Sequence, residues 1–203
     1  RIERLKESLR QPNLKFNVIA HSMGGLIARY AAMYGDQDLP SDGSLPQLNW
    51  SGARHISKIV MIGVPNEGSA DAFATLVEGY SITEGLRRRV PLLNKLTAED
   101  AVRTPSVFQL LPHEGTARFL DENLDVMPLD LYDPAVWKKY AWSPIFSDSF
   151  RRRSSNHRNS DSQPVEDGNL DEYLAATLRR TRQFHRSLDA GIICYVEPVL
   201  NPV

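Results

Sequence analysis

Phe16-Asn17-Val18-Ile19-Ala20-His21-Ser22-Met23-Gly24-Gly25 decides how the rest of the chain is read. Phe16 to Ala20 has the apolar density of a short buried strand. From Met23 to about Tyr34 the residues Leu26, Ile27, Tyr30 and Ala31 form the apolar stripe of a helix. Ser22 therefore stands at a strand-to-helix junction, and a serine there has two readings. It is the nucleophile of an elbow, held on a sharp strained turn, or it merely caps the helix, as serine often does. The elbow asks for small residues two before and two after the serine, because the turn brings them together. Ala20 and Gly24 occupy those positions.

The chemistry explains the surroundings. A serine hydroxyl attacks poorly unless a base takes its proton and nearby donors hold the oxyanion. The start of the next helix offers unpaired N–H groups and the positive end of a dipole, so the Met23 N–H is the expected first oxyanion donor. Gly25 lets that helix approach neighbouring backbone. His21 is next to Ser22, yet adjacent residues on such a turn point apart. It is expected to be packed and hydrogen-bonded beside the site, not to act as its base.

Working outward, Ile2, Leu5 and Leu9 give an amphipathic helix over 2–10, broken at Gln11-Pro12-Asn13. Residues 35–50 form a loop rich in Gly, Asp, Ser and Pro. Ile59-Val60-Met61-Ile62 gives 56–63 the continuous apolar run of a strand covered on both faces. Helix, strand, helix, strand predicts an α/β fold with a parallel sheet. Ser69 is an N-cap for a helix to about Gly79. Residues 80–145 mix short helical patterns with Pro and aromatics, and Asp133-Pro134 starts a helix through Trp142. The polar stretch 147–168 predicts a mobile loop, followed by a helix over about 169–189, Gly191 and a third parallel strand at 192–197. An insertion of about 130 residues between strands is far longer than an ordinary crossover. The expected organisation is a core of 1–63 with 169–203, and a cap or lid over 64–168 that includes the polar loop 147–168.

Composition narrows the function classes. The chain has 203 residues, 41% hydrophobic and 24% charged, with a formal net charge of −1. That suits one sizeable domain and carries no electrostatic footprint for nucleic acid or an anionic membrane. Arg87-Arg88-Arg89 and Arg151-Arg152-Arg153 read as solvated loop charge. The one cysteine, Cys194, cannot form an internal disulfide and reads as a buried core thiol. No run approaches the roughly 18 apolar residues of a membrane helix. The chain begins at Arg1 in mid-helix pattern without a methionine and without a signal peptide. The natural amino terminus is expected to be missing, which leaves localisation unreadable.

The segment 16–25 closely resembles the nucleophile segment of lipase-like α/β-hydrolases. Gly63-Val64-Pro65-Asn66-Glu67-Gly68-Ser69 is similar to the Thr-Pro-Asn/His-x-Gly-Ser loop after their next strand, with Val64 in place of Thr. Pro105-Ser106-Val107-Phe108-Gln109-Leu110-Leu111-Pro112 resembles a cap motif of the lecithin:cholesterol acyltransferase-like branch. The resemblance implies a partial α/β-hydrolase fold and a serine lipase, esterase or acyltransferase that works on lipid esters through an acyl-enzyme on Ser22. It implies no metal or organic cofactor, a lipid or ester as substrate, no nucleic acid, and transient contact with a membrane or lipid surface through the cap. Ala20 departs from the usual Gly, which lipase-like members tolerate. A small-ester carboxylesterase or thioesterase, and a non-catalytic hydrolase-fold protein that binds a lipid or a partner, remain alternatives.

In this fold the triad follows the chain order Ser, Asp or Glu, His, on loops at the carboxyl edge of the sheet. His55 precedes its strand and His185 ends a helix leading into a strand, so both are expected at the opposite edge. A strand of six residues spans about 20 Å, too far for a hydrogen bond to Ser22. His157 lies in the polar loop, and His113 in the cap is the one histidine with an approach. Glu197 ends the last strand and is a candidate acid, although the family pattern places one further on. The acid, the base and the second oxyanion donor are thus expected outside residues 1–203. The chain reads as truncated at both ends and, taken alone, as inactive.

Overall fold

The helix-strand-helix-strand order is realised locally as written. In the computed structural model, which describes residues 2–81, 95–156 and 167–190, helix α1 spans Ile2–Ser8, strand β1 Phe16–His21, helix α2 Met23–Tyr34 and strand β2 Ile56–Ile62. β1 and β2 pair in parallel, with Val18 opposite Ile59 and His21 opposite Ile62. The third strand expected at 192–197, with Cys194 and Glu197, lies outside the described residues.

Apart from 3-10 turns at Ala53–His55 and Pro144–Phe146, the remaining elements are short except the last. They are α3 (Ala70–Glu78), β3 (Tyr80–Ser81), β4 (Lys95–Leu96), α4 (Ala98–Val102), α5 (Pro105–Phe108), β5 (Phe119–Leu120), β6 (Val126–Met127), α6 (Pro134–Lys139), α7 (Asp148–Asn156) and the long α8 (Asp167–Asp189). β3 with β4 and β5 with β6 form antiparallel pairs. The chain divides into two compact units, residues 1–64 with 184–203, and residues 65–183. Residues 169–183, which the sequence pattern groups with the core, fall in the second.

In the first unit α2 is the organising element. Leu26, Ala32, Met33 and Tyr34 are buried. Its side chains also satisfy carbonyls at the end of α8, where a helix leaves acceptors unpaired. The Tyr34 hydroxyl donates to the Ser187 carbonyl at 2.6 Å and Arg29 donates to the Leu188 carbonyl at 3.2 Å. Burial pushes the Tyr34 phenol above its ordinary pKa. The sheet departs from expectation. Val60, Met61 and Ile62 are about half exposed and Ile19 is 75% exposed. A continuous apolar run encodes a strand meant to be covered on both faces, but among the described residues β1 and β2 pair only with each other.

The second unit has a dense core. Leu76, Phe108, Leu111, Trp137, Ile145 and Leu178 are at most 1% exposed. Two segments that look unrelated in sequence are laced together here: Ser69 N–H donates to the Leu110 carbonyl at 2.8 Å and His113 N–H to the Glu67 carbonyl at 3.1 Å. Gly68, at φ 80°, sits so close that a Cβ would lie 2.2 Å from the Leu111 carbonyl oxygen.

Ser69 does cap α3, accepting from Asp71 N–H at 3.2 Å. Asp133 likewise caps α6, accepting from Ala135 N–H at 2.8 Å. That helix ends at Lys139 instead of reaching Trp142. Ala141 takes the left-handed conformation, φ 50°. Trp142 N–H then reaches back to the Trp137 carbonyl at 3.0 Å, and Ala141 N–H to Lys138 at 3.2 Å. This is a Schellman ending, completed by the edge-to-face contact of Trp142 on Trp137.

The polar stretch 147–168 is not a loop throughout, because residues 148–156 form α7. Ser147 Oγ accepts from Phe150 N–H at 3.2 Å and caps it. Phe150 is buried beneath the Arg103 guanidinium, and Arg151 bridges the Ile145 carbonyl at 2.9 Å and Asp171 at 2.7 Å. One aromatic anchor and one paired cation are enough to order a hydrophilic helix. Arg151 is therefore engaged and not solvated loop charge. Arg87 to Arg89 and residues 157–166 lie outside the described residues.

Candidate active site

The junction between β1 and α2 carries a backbone conformation that serine reaches only under constraint. Ser22 has φ 53° and ψ −133°. That is a sterically disfavoured region for a residue with a Cβ, costing on the order of 1–3 kcal/mol. The surroundings hold it there. Ser22 N–H donates to the Ile62 carbonyl at the carboxyl end of β2, 3.0 Å away, and the Ser22 carbonyl accepts from Gly25 N–H, also at 3.0 Å. The first bond closes the parallel pair; the second starts the helix within one tight turn.

The geometry of Ser22 is not that of a capping serine. Its side chain makes no capping hydrogen bond to α2, and its backbone angles are not the extended ones of an ordinary N-cap. The hydroxyl is thus uncommitted among the described residues, on a strained corner at the carboxyl edge of β1 and β2. Met23 is the first residue of α2. Its N–H finds no acceptor among the described residues, as expected for the first turn of a helix.

The small residues act differently from expectation. A Cβ added at Gly24 meets nothing within 4 Å, whereas one at Gly25 would fall 2.1–2.9 Å from the Val64 side chain. Crowding at the elbow is between the helix start and the loop after β2, not between the positions flanking the serine. Val64, read from sequence only as a substituted Thr, is the residue whose side chain fills the space that a Cβ at Gly25 would take. Only its place just past an apolar strand pointed to it.

His21 also corrects the sequence reading. Its side chain is exposed and makes no hydrogen bond among the described residues. Exposure along β1 alternates, with Asn17, Ile19 and His21 exposed and Phe16, Val18 and Ala20 more buried. The pleat puts His21 on the uncovered face. His55 lies just before β2, at the edge opposite Ser22. It is held there by Lys6, 2.8 Å from Nδ1, and Glu3, 3.2 Å from Nε2. Sequence reasoning did not pick out this Glu3–His55–Lys6 cluster, and Lys6 is buried in it. His185 is buried in the last turns of α8 beside Phe184, and His113 is buried in the second unit. His157 lies outside the described residues. Among the described residues no histidine is hydrogen-bonded to Ser22, no cluster of His, Cys, Asp or Glu is placed to hold a metal, and no helix is long and apolar enough to cross a membrane.

Comparison with known proteins adds the family context. A family model described as lecithin:cholesterol acyltransferase matches residues 2–183. Among solved structures the chain is similar to one from "The crystal structure of Tle4-Tli4 complex", with a TM-score of 0.56 and 16% identity. The match covers 93% of this chain and 37% of that one, so this chain spans a little over a third of the other's length. At that identity the likeness speaks to the fold. No curated protein matches the sequence.

Proposed function

The chain belongs to the lecithin:cholesterol acyltransferase family, and so to the α/β-hydrolase superfamily, and from that premise we propose that it carries the nucleophile half of a serine hydrolase or acyltransferase site for lipid esters. The observation that carries the reading is the backbone of Ser22. A disfavoured conformation, fixed by two hydrogen bonds and leaving the hydroxyl uncommitted, is a cost with no return in folding. It has a return in chemistry. The hydroxyl is presented beside the helix start, so an oxygen that attacks an ester carbon leaves the developing oxyanion near the Met23 N–H. The Ser22 oxygen gains the acyl group as the ester bond to the alcohol breaks, and the alcohol leaves with a proton. A second acceptor, water or another alcohol, then takes the acyl group and restores the hydroxyl.

Labelling of the full-length protein with a fluorophosphonate tests the proposal. The expected result is one adduct per chain by intact mass, mapped to the peptide containing Ser22 and lost in Ser22→Ala. A labelled Ser22→Ala protein would assign the nucleophile elsewhere.

A further inference from the structure

At the sheet edge away from Ser22, a buried cation is held by the wrong kind of partner. Lys6 is 7% exposed, although the rest of α1 faces water. A lysine this buried is ordinarily paired with an anion. Its Nζ instead lies 2.8 Å from His55 Nδ1. An ammonium has donors only, so Nδ1 is the bare nitrogen of a neutral ring and Nε2 carries the proton. Nε2 faces the Glu3 carboxylate at 3.2 Å. The acid of the cluster is thus engaged by the imidazole, and among the described residues no carboxylate pairs with Lys6.

Lys6 lines a hollow of about 450 Å³ together with Lys15, Arg54 and His55, within the roughly 300–1,000 Å³ of small-molecule sites. Three cations meet one carboxylate there, Glu3. Asp36 lines an adjoining hollow instead. Arg54 is positioned as well as charged. Its Nε donates to the Ser51 carbonyl at 3.2 Å, which fixes the plane of the guanidinium and leaves the terminal nitrogens for an oxyanion.

We propose that this hollow binds a phosphate dianion, either the free ion or the monoester end of a small soluble molecule. Its oxygens give Lys6 the negative partner that the cluster withholds, with Arg54 and Lys15 completing the contact. A dianion matches the surplus of three cations over one acid, whereas a carboxylate would leave half of it uncompensated. The site is remote from the proposed chemistry, because the seven residues of β2 span about 20 Å between His55 and the edge that carries Ser22. It therefore stands or falls separately from the assignment of Ser22. Occupancy ties α1, the corner after it and the turn before β2 to one ligand, so binding stabilises the first unit.

The test is calorimetric titration of the full-length protein with inorganic phosphate, with the thermal midpoint followed at an ionic strength held constant by sodium chloride. The expected result is one phosphate per chain and a midpoint that rises with phosphate, while acetate binds about tenfold more weakly. A parallel titration with glycerol 3-phosphate tells the two sources apart, the tighter ligand naming the form that the site takes. Lys6→Met keeps the length of the side chain and removes its charge. It is expected to weaken phosphate binding about tenfold and, because it takes an uncompensated ammonium out of the interior, to raise the midpoint in phosphate-free buffer. Arg54→Gln, at an exposed position, is expected to weaken binding several-fold with circular dichroism unchanged. Absence of any response to phosphate overturns the proposal. So does acetate that binds as tightly as phosphate, and so does undiminished phosphate binding by Arg54→Gln or by Lys6→Met.

Discussion

The two units of this molecule use apolar residues in opposite ways. In the first, β1 and β2 are mostly apolar, interrupted by Asn17, His21, Ser57 and Lys58, yet Ile19 and Val60 to Ile62 are exposed among the described residues. In the second, the strands among the described residues are two residues long and most helices a turn or two, yet Trp137, Phe108 and Leu111 are sealed. Regular secondary structure is therefore no measure of how well a region is packed. The first unit spends its order on holding a backbone corner in place. The second gets its order from aromatic side chains, with Phe73, Trp137 and Trp142 meeting edge to face at 4.9–6.2 Å. Such contacts add about 0.5–1.5 kcal/mol each beyond simple burial.

Substitutions in each unit sharpen that contrast. In the complete protein Ser22→Ala is expected to lower ester turnover by on the order of 10⁶, the scale of triad removals, while the thermal midpoint stays where it was. Retention of more than a few per cent of turnover would break the assignment of the first unit to chemistry. Trp137→Ala is expected to do the converse, costing about 3–5 kcal/mol of stability as a large buried aromatic is lost. It also removes the donor that the indole supplies to the Leu131 carbonyl at 2.7 Å. Denaturant unfolding measures it, and a loss below about 1 kcal/mol would mean the aromatic core is not what holds that unit. Gly25→Ala is the smallest of the three, about 1–3 kcal/mol from overpacking against Val64. The double change Gly25→Ala with Val64→Ala should recover most of it. No recovery would place the strain in the backbone instead.

What could be read from the sequence follows the same division. β1, α2 and β2 were legible because their apolar residues recur at the periods of strands and helices. The corner at Ser22 was legible because an apolar strand pattern gives way there to a helical one. The close approach at Gly25 was legible, but the crowding expected at Gly24 is absent and the partner of Gly25 is the Val64 side chain, whose nearness exists only once β2 is beside β1. His21 was misread because its face depends on what covers the sheet. In the second unit, α7 was hidden by its polarity, since burial of Phe150 and pairing of Arg151 are tertiary facts. The end of α6 was hidden because Ala141, and not glycine, takes the left-handed position. Where tertiary contact overrides local preference, composition points the wrong way.

The conformation of Ser22 has a consequence for how this family drifts. At φ 53° and ψ −133° the residue that folds most comfortably is glycine, which tolerates that region without a Cβ penalty. A lineage released from selection on activity thus has a downhill mutational route at this position. One replacement, serine to glycine, would remove the hydroxyl and relax the chain together. On the role proposed for Ser22, copies that have lost their chemistry are expected to carry a glycine at this corner.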